Sequence, residues 1–196
     1  MIEQLFAHQQ IGWPILTVVT FLPLLGALVI WTVRDAAWAW RIGLAVAALD
    51  FMASVPLFVT FVPHTAAMQF VERHAWIPSL GISYHLGVDG ISVLFVVLTT
   101  LLGLLIVVYS QGVVTQSVRG YLMALFGLQT TMLGVFVSLD LVLFFLFWEL
   151  MLIPSYFMIK LWGGEGRDYA SVKYVVYTLL GSVLMLVGIV VLYIQH

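Results

Sequence analysis

FFLFWELMLIPSYFMIKLWGG, residues Phe144 to Gly164, is an apolar stretch into which one carboxylate, Glu149, and one proline, Pro154, are set. An α-helix needs about 20 mostly apolar residues to cross about 30 Å of hydrocarbon. The stretch therefore reads as a membrane span with an acid inside it. The rest of the chain agrees, because apolar residues make up 63% and charged residues 8% of its 196 residues. An ordinary soluble domain has about 45–50% and about 25%. Composition thus points to an all-α, polytopic integral membrane protein.

Six spans can be placed, over Pro14–Val33, Ile42–Val62, Ile91–Ser110, Tyr121–Ser138, Leu141–Leu161 and Ser171–Ile194. Breakers and charges separate them: RDAAWAWR follows the first, a polar loop from Pro63 to Gly90 precedes the third, and WGGEGRD follows the fifth. The opening MIEQLFAHQQ carries an acid and no Lys or Arg, the reverse of a signal peptide's basic start, so the first span reads as a retained helix. If the N-terminus faces outward, the cytoplasmic connections hold Arg34, Arg41, Arg119, Lys160, Arg167 and Lys173, and the outer side holds only Arg73. That excess of positive charge places the N-terminus outside and, after six crossings, His196 outside as well. Residues 1–110 then hold the first three helices with the outer loop 63–90, and residues 111–196 hold helices four to six.

Several function classes are excluded. No cysteine is present, which removes disulfides, iron–sulfur ligation and c-type haem attachment. The histidines His8, His64, His74, His85 and His196 all lie outside the apolar runs, which argues against a haem held between helices and against any metal site. A net charge of -2 argues against nucleic acid as a partner. In the outer loop, Trp76, Tyr84 and three histidines suit a layer at the level of lipid headgroups. Asp89, in GVDGIS, is placed to cap the third span. The short Ser138-Leu139-Asp140 link makes spans four and five antiparallel neighbours. Gly127, Gln129, Thr130, Thr131 and Gly134, with Gly181, Ser182 and Gly188, read as close helix packing and interhelical hydrogen bonding.

Glu149 falls near the midplane of the fifth span, the costliest depth for a charge, at about 2.5 to 3.5 kcal/mol on insertion scales. A low dielectric favours the neutral acid and a nearby cation favours the carboxylate, so a carboxyl held between those influences can take up and release a proton. Pro154 lacks an N–H and crowds the carbonyl of residue 150, which leaves the Leu150 carbonyl, one residue from Glu149, in need of another partner. Together these are the layout of a proton or cation path; the blander alternative is a protonated glutamate that glues helices together. Asp50 repeats the pattern in the second span with Pro56, and reads as a cavity lining, a subunit contact or, preferred, a satisfied interhelical acid. Lys160 lies eleven residues from Glu149, about 16 Å along the axis, too far to pair, and reads as a snorkelling anchor. Lys173, about one turn into the sixth span, suits an anchor or a relay equally.

FFLFWELMLIPSYF with WGG, then KYVVYTLLGS, and upstream WIPSLGISYHLGVDGISVLFVVLTT, together resemble the M-type (chain 4) antiporter-like subunits of proton-pumping NADH:quinone oxidoreductase, respiratory complex I. The wider relatives are the corresponding subunits of membrane-bound hydrogenases and multisubunit cation/proton antiporters. The resemblance implies that Glu149 is a protonatable residue of the transport path and raises Lys173 to a role in proton transfer. It implies no cofactor in this chain, with NAD, FMN, iron–sulfur clusters and quinone in partner subunits of a bacterial inner-membrane complex. Family members have about fourteen helices and pair the glutamate with a lysine on a broken seventh helix. This chain stops after six, so the resemblance implies a fragment or a partner chain that supplies that lysine. A truncated, non-conducting assembly module is the alternative of a different class.

Overall fold

The computed structural model describes residues 4–195, so the placement of His196 lies outside the described residues. A short strand β1 (Gln4–Phe6) and one turn of helix α1 (Ala7–Gln10) lead into α2 (Ile15–Thr32) and α3 (Ala36–Val59). Strands β2 (Met68–Ile77) and β3 (Ile82–Val88) follow, then α4 (Ser92–Ser110), α5 (Val118–Val137), α6 (Leu141–Leu150), α7 (Leu152–Trp162) and α8 (Arg167–Gln195). Helices α6 and α7 make one span over Leu141–Trp162, so six helical segments among the described residues are long and apolar enough to cross a membrane.

These spans match the six runs of the sequence to within four residues at each end except at the start of α3, which begins six residues earlier, at Ala36. Asp35 caps it, its side chain accepting from the Ala37 N–H at 2.8 Å. Arg41, which made this segment read as a link between spans, lies over the Trp38 ring at 5.1 Å. A guanidinium on an aromatic face is tolerated at a helix start near the membrane boundary.

The 63–90 segment, read from sequence as a polar loop, is mostly a β-hairpin. Strands β2 and β3 pair antiparallel, with Arg73 opposite His85 and His74 opposite Tyr84, and β1 adds to β2 in parallel. Gly81, at φ +67°, supplies the left-handed residue that closes the turn after Pro78–Leu80.

Carboxylates fasten this hairpin to the helix starts on its side of the membrane. Glu72 of β2 is buried and accepts from the Leu16 N–H at 2.8 Å, the Thr17 N–H at 3.2 Å and the Thr17 hydroxyl, at the first turn of α2. Burial pushes its carboxyl above the usual range, against the pull of those donors. Asp140 Oδ1 caps α6 through Val142 and Leu143 N–H groups, while its Oδ2 accepts from the Ser83 N–H of β3 at 2.9 Å. Asp89 Oδ1 accepts from the Ile91 and Ser92 N–H groups at 3.0 and 2.7 Å, and the Ser92 hydroxyl accepts in return from the Asp89 N–H. Asp89 is thus the cap its sequence position predicts.

The buried apolar side chains fall into two clusters. One, on the hairpin side, gathers Ile15, Leu16, Val19, Leu57, Val93, Val96, Leu133, Val137 and Phe147. The other gathers Ala27, Ile30, Trp40, Ala47, Val107, Leu122 and Phe126.

The bonds from Ser92 hold the Asp89 carboxyl below the ordinary carboxylate range. A depressed carboxyl contributes stability that is present above its unfolded-state pKa and lost as pH falls through its folded-state pKa. Asp89→Ala should therefore cost about 1 kcal/mol at neutral pH, with the difference from wild type vanishing as the medium is acidified. Thermal unfolding of the detergent-solubilised protein across pH measures it.

Candidate functional site

Between the two apolar clusters every helix of the packed bundle turns polar. Helix α2 contributes Thr20, α3 Asp50 and Ser54, α4 Thr99 and Thr100, and α5 Gln129, Thr130 and Thr131, all buried. Counted from helix ends on the hairpin side, Asp50 is nine residues in, and Thr100, Gln129 and Glu149 are each eight. At 1.5 Å per residue that is about 12 to 14 Å for all four, a single layer inside the hydrocarbon.

Glu149 reaches this layer from α6. Its Oε1 is shut off from the surface and has no hydrogen-bond partner among the described residues. Two residues on, the helix is interrupted at Met151, between α6 and α7. Pro154 supplies the cause, since it cannot donate to the Leu150 carbonyl. The Ser155 N–H and hydroxyl both reach the Met151 carbonyl, at 3.3 and 2.8 Å, so the Leu150 carbonyl is without its usual helical donor. An acid with an unpartnered oxygen beside a carbonyl that has lost its helical donor is an arrangement that draws in water or a cationic side chain.

Glycines set the packing around it. A Cβ at Gly134 of α5 would overlap the Phe147 ring, and one at Gly127 would sit 3.7 Å from Pro154. Both positions are the close approaches the sequence predicts, and they hold the interrupted span against α5. Gly181 and Gly188 are not: a Cβ at either meets nothing within 4 Å. They lie on a face of α8 that no described element covers, and only Ser171 and Ser182 of that helix are buried. Thr131 likewise bonds within its own helix, to Gly127 and Leu128 carbonyls, rather than across to another.

Lys173 does not meet Glu149. Its ammonium lies over the Tyr169 ring at 5.5 Å on the exposed side of α8. It is six residues past Arg167, about 9 Å into the membrane, whereas Glu149 is thirteen residues, about 20 Å, from the far end of α7. Lys160 donates to the Tyr156 hydroxyl at 2.8 Å, as an anchor does. Asp50 finds one interhelical donor, Gln129 Nε2 at 2.7 Å, and is satisfied on that oxygen alone. The anchoring roles of Glu72 and Asp140 were not anticipated. Asp140, ahead of an apolar run, carries a capping signal; Glu72 carries none, because its partner helix starts more than fifty residues away.

Residues 138–196 match the family model described as NADH:quinone oxidoreductase/Mrp antiporter, transmembrane. The chain is 46% identical to NADH-quinone oxidoreductase subunit M of Rhodobacter capsulatus over 91% of its own length and 36% of that protein's. By sequence and by fold, it belongs to the antiporter-like membrane-subunit family of complex I and Mrp antiporters. It is also 33% identical to F(420)H(2) dehydrogenase subunit M of Methanosarcina mazei, over 90% and 36% of the two lengths. A chain of respiratory complex I from Thermus thermophilus superposes with a TM-score of 0.77 at 28% identity, covering 89% of this chain and 35% of that one. The chain thus spans about a third of the length of the relatives it matches, and within this family it is a multi-pass membrane subunit.

Replacing Gly134 by Ala should drive the Phe147 ring out of its seat and cost about 1–3 kcal/mol, read as a lowered unfolding midpoint. Gly181→Ala, on the uncovered face of α8, should leave that midpoint unchanged.

Proposed function

We propose that this chain is part of a proton-translocating membrane subunit of NADH:quinone oxidoreductase, with Glu149 as an intramembrane proton-loading site. The observation that carries the proposal is the buried, unpartnered Glu149 Oε1 in a polar layer beside the break at Met151. The neutral acid can donate through one oxygen; the carboxylate needs donors or a cation that this part of the chain does not place there. A charge brought beside Glu149, or withdrawn, therefore changes its proton affinity, and that is what couples a remote electrostatic change to proton movement. The neighbouring cation comes from another segment of the subunit or a partner chain, and Lys173 serves proton transfer from the opposite side.

In this reading the protein sits in a bacterial inner membrane with the hairpin side outward and its basic residues toward the cytoplasm. NAD, FMN, iron–sulfur clusters and quinone are held by other subunits. A second reading is favoured by the relative named as an F(420)H(2) dehydrogenase subunit: the same site serving a different electron-input module, or a cation/proton antiporter.

NADH-driven proton uptake by inverted membrane vesicles tests the first reading. Glu149→Gln should abolish most of the uptake, by tenfold or about 1.4 kcal/mol in the transport barrier, while electron transfer to an artificial acceptor continues. Lys173→Ala should reduce uptake less, and Lys173→Arg should restore it. An assembled complex carrying Glu149→Gln with unchanged uptake and turnover contradicts the proposal.

A further inference from the structure

The second acid of the layer is partnered quite differently from the first. Asp50 is 0% and Gln129 3% exposed, and Gln129 Nε2 donates to Asp50 Oδ2 at 2.7 Å. The two remaining oxygens of the pair, Asp50 Oδ1 and Gln129 Oε1, are both buried and both without a partner. If Asp50 is ionised, both are bare acceptors and neither can serve the other.

One proton resolves both at once. Placed on Oδ1, it turns that oxygen into a donor, and a carboxylic acid and a primary amide then present matching edges. The amide N–H donates to one acid oxygen, and the acid O–H donates to the amide carbonyl. We propose that Asp50 and Gln129 form a second proton-binding site of the layer, a neutral acid–amide pair in which Asp50 keeps its proton and latches α3 to α5.

The surroundings favour this pairing. A Cβ at Gly103 would overlap the Gln129 amide, so the backbone of α4 closes that side. Among the hydroxyls of the layer, Ser54 and Thr100 bond each other at 2.7 Å, with the Phe51 and Val97 carbonyls as further acceptors, and those of Thr20 and Thr130, without a partner among the described residues, make no bond to either oxygen.

No charge stands near enough to stabilise a carboxylate. Helices α6 and α7, packed on α5, bring Glu149, an acid that cannot stabilise a second carboxylate, and beyond it Tyr156 and Lys160, which bond each other at 2.8 Å. Helix α2 has no titratable residue, and the others have Arg41 on α3, Tyr109 on α4, and Arg119 and Tyr121 on α5. Each is eight or more residues from the layer toward the opposite side, about 12 Å or more along its helix. Tyr121 is also committed to the Ser110 hydroxyl at 2.7 Å. Deprotonated, Asp50 would be an unpaired charge in hydrocarbon. Glu149, open to an outside partner, is built to exchange its proton, and Asp50 to retain its own. This inference rests on the hydrogen-bond geometry alone and stands apart from any transport reading of Glu149.

Infrared spectroscopy of the assembled, membrane-embedded protein labelled with carbon-13 aspartate tests it. The expected result is a protonated-carboxyl C=O band that persists from about pH 5 to about pH 9. It should be missing in Asp50→Asn and shifted to higher frequency in Gln129→Leu, where its hydrogen bonds are lost. Asp50→Asn preserves both hydrogen-bonding edges, so its unfolding midpoint should stay at the wild-type value while that of Asp50→Leu falls by several degrees. A band that disappears as pH rises through neutrality overturns the proposal. So does an Asp50→Asn protein as destabilised as Asp50→Leu.

Discussion

Hydrocarbon offers no hydrogen bonds, so every polar group carried into it needs a partner from the protein, a proton, or water brought in for the purpose. This structure depends on how that demand is met in a single layer. Two apolar clusters pack the bundle above and below, and between them α3, α4, α5 and α6 present polar side chains at nearly one depth, with Thr20 of α2 nearer the hairpin. The clusters supply the packing that holds the layer. The layer in turn gives specificity to helix contacts that lipid-facing leucines and valines do not distinguish.

The carboxyl groups of the chain form a series ordered by how completely they are satisfied. Asp89 and Asp140 sit at helix starts with backbone donors, and Glu72 does the same for a helix distant in sequence. Asp50 has half its needs met by an amide, and a proton completes them. Glu149 has a buried oxygen without a partner and, unlike Asp50, accepts no hydrogen bond from any of the described residues on its other oxygen either. Residue type does not separate these groups; the number of donors around each does, and so does the task each can perform. The capped acids fasten the hairpin across the bundle, and a site poised to exchange a proton must be the least satisfied of the set.

Much of this was legible in the sequence because it follows from local rules. Apolar runs fix spans, Pro154 breaks its helix three residues upstream, and Asp89 followed by Ser92 reads as a cap. The second span began early because an Asp35 cap and an Arg41–Trp38 stack let charged residues enter the helix, which hydropathy alone disfavours. What was not legible depends on contacts distant in sequence. The hairpin's charged strands hide its β character, Glu72 reaches a helix start 55 residues upstream, and Gln129 meets an acid 79 residues away. Gly181 and Gly188 carry a packing signal that no described element answers. Lys173 read equally as an anchor or a relay from its place about one turn into its span, and six residues from the start of α8 it lies well short of the layer, over the Tyr169 ring.

The central claim is that the layer contains one open acid and one closed one. The most direct measurement is a cryo-electron-microscopy map of the assembled complex at a resolution that shows ordered water. The account predicts a water molecule or a cationic side chain within hydrogen-bond distance of Glu149 Oε1, and Asp50 Oδ1 against Gln129 Oε1 with nothing between them. Glu149 sealed among apolar side chains, with water chained instead to Asp50, would contradict it.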